Sequence, residues 1–174
     1  MKGLVVYDSY FGNAARVAVA IAEELEAAGH EVRTVNLQVA KPNQRTAAAE
    51  TDFLVLGGPT RMKHISRGAR GFAIDLDAGL WAGRPALVYD TYGPLSPDPA
   101  KNEGSKWLYP GGVADLRQIL SERGLKVFSE DLRCLVAKQR GPLVEGALEQ
   151  AREVARRFAA ELSMTMAGRR DVPA

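Results

Sequence analysis

Residues 5–21 read V-V-Y-D-S-Y-F-G-N-A-A-R-V-A-V-A-I, and the hydrophobic period changes once, at Gly12. Before it, Val5 and Val6 form the short apolar run of a buried strand. After it, Val17, Ala18, Ile21, Ala22 and Leu25 recur at helical spacing. A strand that feeds a helix through so short a loop aims unpaired backbone N–H groups at one point, at the positive end of the helix dipole. That is an anion site of phosphate size, to which Ser9 and Asn13 can add side-chain donors. Taken alone, the same residues also fit an ordinary strand-to-helix turn with Asn13 as N-cap. The loop lacks the G-x-G-x-x-G spacing of dinucleotide folds and the G-K-[ST] ending of nucleoside-triphosphate loops.

Outward from this stretch, strand and helix signals alternate, which predicts a parallel sheet with crossover helices. Strands are expected over residues 2–8, 31–37, 53–58, 85–90 and 125–136. Helices are expected over 13–28, 66–77, 113–123 and 142–162, with a shorter piece at 44–50. The final helix carries one apolar stripe through Ala147, Ala151, Val154, Phe158 and Leu162, a core-packing pattern. A single domain is expected over residues 1–166, with 167–174 as a mobile tail.

The 174-residue chain is 46% hydrophobic and 25% charged, ordinary for a globular protein. A net charge of +2 with mixed signs along both halves gives no nucleic-acid footprint. No apolar run approaches the roughly 20 residues of a membrane span, and the N-terminus shows no leader pattern, so a cytoplasmic address is expected. Cys134, the lone cysteine, reads as buried strand packing. His30 and His64 stand alone without ligands at metal spacing, and His30 reads as an imidazolium at a helix end. A receiver domain of this topology would need an acceptor Asp after the third strand, where Leu56, Gly57 and Gly58 stand instead. Between Thr60 and Phe72 lie Arg61, Lys63, His64, Arg67 and Arg70 with no acid, a basic run opening where a strand ends.

The order Val5, Val6, Tyr7, Ser9, Gly12, Ala18, Ile21 resembles the flavodoxin phosphate-loop signature. G-G-P-T at 57–60 and Y-D-T-Y-G-P at 89–94 resemble that family's two flavin loops, and G-P-L-V-E-G-A-L-E-Q-A at 141–151 is similar to the segment opening its last helix. The pieces fall in the right order across residues 2–162. The resemblance implies an α/β flavodoxin-like fold, a doubly wound five-stranded parallel sheet of order 2-1-3-4-5 with helices on both faces. In such sheets ligands bind beyond the carboxyl ends of the strands, where the winding reverses.

The resemblance further implies flavin mononucleotide (FMN) as cofactor. Ser9, Tyr10, Phe11, Gly12, Asn13 and Ala14 would hold its phosphate, Pro59, Thr60, Arg61 and Met62 would line one flavin edge, and Asp90, Thr91, Tyr92 and Gly93 the other. Tyr92 is the expected stacking residue; Tyr10 could cover the ribityl chain or shield the sheet. Ala14 departs from the family pattern, which places a phosphate-binding Thr there, and no Gly follows Thr60. No catalytic residue and no metal ligand is named.

The implied function is electron transfer or a small flavin oxidoreductase of quinone-reductase type. The implied partners are a redox protein or a small-molecule acceptor such as a quinone, and a homodimer contact is open. A module that has lost FMN and serves in protein interaction or regulation is the alternative, supported by Ala14 and the missing Gly. The long connection at 94–112 carries one large apolar cluster, Trp107, Leu108 and Tyr109, which reads either as a lid, wall or dimer contact or as a segment folded onto its own surface.

Overall fold

The strands at 2–8 and 53–58 contain unbroken apolar runs rather than alternating ones, the pattern of strands covered on both faces. In the computed structural model, which describes residues 1–94, 96, 98–138 and 140–170, these runs form the centre of the sheet. The strands are β1 (Lys2–Tyr7), β2 (Glu31–Asn36), β3 (Phe53–Arg61), β4 (His64–Ile65), β5 (Pro85–Tyr92), β6 (Lys126–Val127) and β7 (Leu132–Leu135). Their order is β2-β1-β3-β5-β6, with β7 also on β5 and β4 folded back on β3. All pairs are parallel except β3–β4. The expected order 2-1-3-4-5 holds, with the fifth place shared by β6 and β7.

The helices are α1 (Asn13–Ala27), α2 (Gln44–Glu50), α3 (Arg67–Ile74), α4 (Ala78–Trp81), α5 (Gly112–Glu122) and α6 (Ala147–Arg170), with a 3-10 turn at Pro99–Lys101. Side chains alternate across the sheet and build two cores. Val5, Val55, Leu87 and Tyr89 pack under α1 and α6. Leu4, Val6, Leu54, Leu56 and Val88 pack under α2 to α5. Among the described residues no helix is long and apolar enough to cross a membrane, and no cluster of metal-ligating side chains is present.

The structure differs from the sequence reading at five points. The third strand runs past Gly58 to Arg61 and turns back as β4, pairing Thr60 with Ile65 and Arg61 with His64. The fifth strand breaks because five residue steps from Val127 to Leu132 face three steps from Ala86 to Tyr89 on β5, and the excess loops out. Helix α6 begins at Ala147 rather than Pro142 because residues 142–144 run back beside β7: Ala137 N–H donates to the Pro142 carbonyl and Val144 N–H to that of Leu135. Gly146, at φ +81°, then turns the chain into the helix. The helix continues to Arg170, into the stretch expected as a tail, while 171–174 lie outside the described residues. His30 is buried, and burial together with the N-terminal charge lowers its pKa, so the imidazolium reading is replaced by a packed ring edge-on to Phe53. Cys134 is fully buried, its thiol pushed up to about 12 by burial.

One polar network fixes the carboxyl edge of the sheet. Asp90, at the end of β5, is fully buried and accepts from Arg133 Nε on β7 at 3.1 Å, from the Thr60 hydroxyl on β3 at 2.6 Å and from Val113 N–H on α5 at 3.3 Å. Thr60 Oγ1 in turn accepts from Gly112 N–H at 2.8 Å. Arg133 also donates to the Leu108 carbonyl at 2.9 Å and lies over the rings of Tyr92 and Tyr109, at 4.3 and 5.1 Å. Burial pushes the Asp90 carboxyl above its ordinary range, while Arg133, Thr60 and Val113 pull it back.

Breaking such a pair from one side leaves a buried charge uncompensated, at a cost of about 3–5 kcal/mol. Arg133→Met should therefore be destabilised by about that amount at pH 7. Without the guanidinium the folded-state pKa of Asp90 rises further above its unfolded value, so the folded form holds the extra proton between the two values and the loss shrinks as pH falls through that window. Denaturant melts at pH 7 and near pH 5 check this; equal losses at both would contradict it.

The β3–β4 turn places Met62 and Lys63 at φ 47° and 66°. Two positive φ values in a two-residue turn suit Asn-Gly, and a side chain there stores strain on the order of 1 kcal/mol. Replacing the pair by Met62→Asn with Lys63→Gly should raise the melting temperature by about 2–4 °C. An unchanged or lower value in a circular-dichroism melt would show that the turn is unstrained.

Candidate functional site

The loops after β1, β3 and β5 meet at one end of the sheet, and between them lies a cavity of about 730 Å³. The phosphate-sized loop closes one end. Gly12 sits at φ +85°, a left-handed conformation open to glycine at little cost, and forms the N-cap of α1 with no side-chain cap. Arg16 N–H returns to the Gly12 carbonyl, and Ala15 N–H donates to Ser9 Oγ at 3.2 Å. The amides of Asn13 and Ala14 have no intrahelical acceptor, as in any first helical turn. Because Ser9 Oγ serves as acceptor, its own hydrogen is left to donate outward. The loop is braced from beneath by Tyr89, whose hydroxyl donates to the Ala14 carbonyl at 2.9 Å. Gly57 makes this reach available, since a Cβ there would lie 2.2 Å from the Tyr89 ring.

Of the residues singled out in the sequence, Ser9, Tyr10, Phe11, Asn13, Ala14, Pro59, Thr60, Arg61, Met62, Thr91 and Gly93 line the cavity. Gly12 shapes the loop from behind. Asn13 is not an N-cap: it is the first helical residue, and its Nδ2 donates to the Gly141 carbonyl at 2.7 Å. Asp90 and Tyr92 are elsewhere. Alternation along β5 sends their side chains to the face opposite Thr91, Asp90 into the buried network and Tyr92 against Arg133. Tyr92, expected to stack on the flavin, is thus not among the residues that line this cavity.

Pro94, Trp107 and Leu108 of the 94–112 connection complete the walls together with Val136 and Arg140, which sequence reasoning left out. Within the 94–112 connection two neighbouring side chains part ways. Leu108 is buried and its carbonyl is held by Arg133, whereas Trp107 remains 46% exposed on the cavity wall. The apolar cluster was a visible signal for Trp107. Arg140 had none, because only the fold brings residue 140 beside residue 11.

Among the described residues, the lining includes Arg61 and Arg140 and no Asp or Glu. Each arginine rests on an aromatic ring of the phosphate-sized loop, Arg61 over Tyr10 at 4.4 Å and Arg140 over Phe11 at 5.1 Å. A cavity with two guanidinium groups, a helix N-terminus with first-turn amides lacking intrahelical acceptors, and aromatic walls suits a planar aromatic ligand with an anionic tail.

No family model matches the chain. A Synechocystis protein named diflavin flavoprotein A 4 is 38% identical over 65 residues, which are 37% of this chain and 11% of that protein. Among solved structures, rubredoxin oxygen:oxidoreductase from Desulfovibrio gigas superposes with a TM-score of 0.71 at 16% identity, covering 95% of this chain and 37% of that one. Oxidised flavodoxin 2 from Bacillus cereus gives 0.70 at 22% identity, covering 92% of this chain and 99% of that one. The match thus spans about a tenth of the curated relative and about a third of the oxidoreductase, but nearly the whole of the flavodoxin. The architecture that these proteins share with the present sheet, helices and loop-lined cavity is the flavodoxin fold, and this chain has it.

Proposed function

We propose that the chain binds FMN noncovalently in this cavity and works in electron transfer or as a small flavin oxidoreductase. The observation that carries the reading is the cavity of about 730 Å³, with no Asp or Glu among its described lining residues, the amides of Asn13 and Ala14 at the start of α1 at one end and aromatic side chains along its walls. The residues fit the group. Ser9 and the amides of Asn13 and Ala14 offer donors to a phosphate, and the Gly12 turn is open, with nothing within 4 Å of where a Cβ would stand. Support also comes from the flavodoxin fold and from the name of the Synechocystis relative.

FMN, when bound, supplies the redox chemistry. The chain's residues bind it, shield it and set the charge around it. The hairpin from Pro59 to Met62 and the 94–112 connection flank the ring, with Tyr10 and Trp107 as the half-exposed aromatics able to stack on it. Arg61 places a positive charge inside the cavity, where it favours the anionic reduced cofactor. Donor and acceptor are a redox protein or a small molecule such as a quinone, and the half-buried wall after β5 favours an enzyme over a simple carrier. We place this activity in the cytoplasm and leave a homodimer to measurement.

The visible spectrum of the purified protein is the first test. A yellow protein releasing FMN is expected. A colourless one that takes up no FMN at micromolar concentration would instead support an interaction module without flavin. Turnover of NADH or NADPH with a quinone separates enzyme from carrier.

Arg61→Ala should lower the two-electron potential of the bound flavin. An exposed charge contributes up to about 1 kcal/mol, or on the order of 20 mV for two electrons. A spectroelectrochemical titration with no downward shift would place Arg61 outside the flavin's field.

A further inference from the structure

Three features tie Arg140 to the phosphate-sized loop rather than to the rest of the cavity. Its guanidinium rests 5.1 Å from the Phe11 ring centroid. Its neighbour Gly141 is held by Asn13, whose Nδ2 donates to the Gly141 carbonyl at 2.7 Å, and Gly141 N–H closes the turn on the Lys138 carbonyl at 2.9 Å. Arg140 itself lines the cavity into which the amides of the first turn of α1 open. Arg61, the other cationic wall residue, belongs to the hairpin at the cavity's other side and stacks on Tyr10.

The same loop has a deficit. Ala14, 2% exposed at the cavity edge, offers no hydroxyl to an anion seated at the helix terminus, and Asn13 spends one of its two side-chain N–H donors on Gly141. Backbone amides, the Ser9 and Tyr10 hydroxyls and one Asn13 N–H are what remain of the loop's own donors, and none of them carries a charge. A guanidinium brings a full charge and a rigid fork that matches two phosphate oxygens, and a ring already holds it in place, so less freedom is lost when it binds.

We propose that Arg140 is the phosphate clamp of this site: a specificity-determining residue that reaches from the 138–141 turn to the flavin's phosphate and replaces the side-chain donor absent at Ala14. The inference rests on the FMN reading above. Arg140 touches the phosphate alone, so it discriminates FMN from riboflavin and has no part in ring binding. The charge it adds is also sensitive to salt, unlike a neutral hydroxyl.

Calorimetric titration of apo-protein with FMN and with riboflavin tests the assignment. Arg140→Gln should weaken FMN by about tenfold or more, leave riboflavin within about twofold and flatten the salt dependence of FMN binding. Arg140→Lys, which keeps charge but not the fork, should fall between. Adding Ala14→Thr to Arg140→Gln should restore part of the preference for FMN. A melting curve of the exposed Arg140 variants, expected to match the parent, separates loss of contact from loss of fold. Equal loss for both flavins, or an unchanged FMN affinity, would overturn the clamp while leaving the FMN site in place. A parent protein that binds neither flavin, or both equally, would overturn the clamp and the phosphate placement together.

Discussion

A carboxylate cannot be buried without partners, and the full burial of Asp90 constrains everything around it. Its partners come from three separate pieces of chain: Arg133 on β7, Thr60 on β3, and α5, whose Val113 donates to the carboxylate directly and whose Gly112 donates to Thr60. Satisfying one charge therefore sets the relative position of the carboxyl ends of three strands and one helix. Arg133 extends the constraint by holding the Leu108 carbonyl, which hangs the long connection on the sheet and leaves Trp107 at the cavity wall. The wall is preorganised by Asp90 and Arg133, which are not among the residues lining the cavity.

On the other side of the cavity the support is different in kind. Tyr10 and Phe11 are about half exposed and stand with their rings against Arg61 and Arg140. These contacts join the loop after β1 to the hairpin after β3 and to the turn after β7 through surface pairs worth roughly 0.5–1 kcal/mol each. The site thus combines a rigid floor, braced by the Tyr89 hydroxyl on the Ala14 carbonyl, with a rim that can yield to an entering ligand. With Arg61 and Arg140 and no acid among its described lining residues, the cavity favours an anionic guest.

Much of this was legible in the sequence because hydrophobic period reports local structure directly. The apolar runs at Leu4 to Val6 and Phe53 to Leu56 gave central strands, and the helical recurrence after Gly12 gave α1. The hairpin was not legible, because Met62 and Lys63 lack the Asn-Gly chemistry that announces such a turn. The break between β6 and β7 and the late start of α6 depend on pairing with β5 and β7, which no local window contains. At the site, alternation on β5 held the signal that Asp90 and Tyr92 face away from Thr91, yet the family pattern suggested one continuous lining. Arg140 had no local signal, since its neighbour Phe11 is distant in sequence.

The central claim is that the cavity at the carboxyl end of the sheet is a flavin site with its phosphate at the start of α1. A crystal structure of the protein with FMN tests it most directly. The account predicts phosphate oxygens within about 3 Å of the amides of Asn13 and Ala14, the guanidinium of Arg140 on the same phosphate, and the ring between the 59–62 hairpin and Trp107. FMN bound elsewhere with this cavity empty, or seated with its phosphate away from residues 9–14, would contradict it.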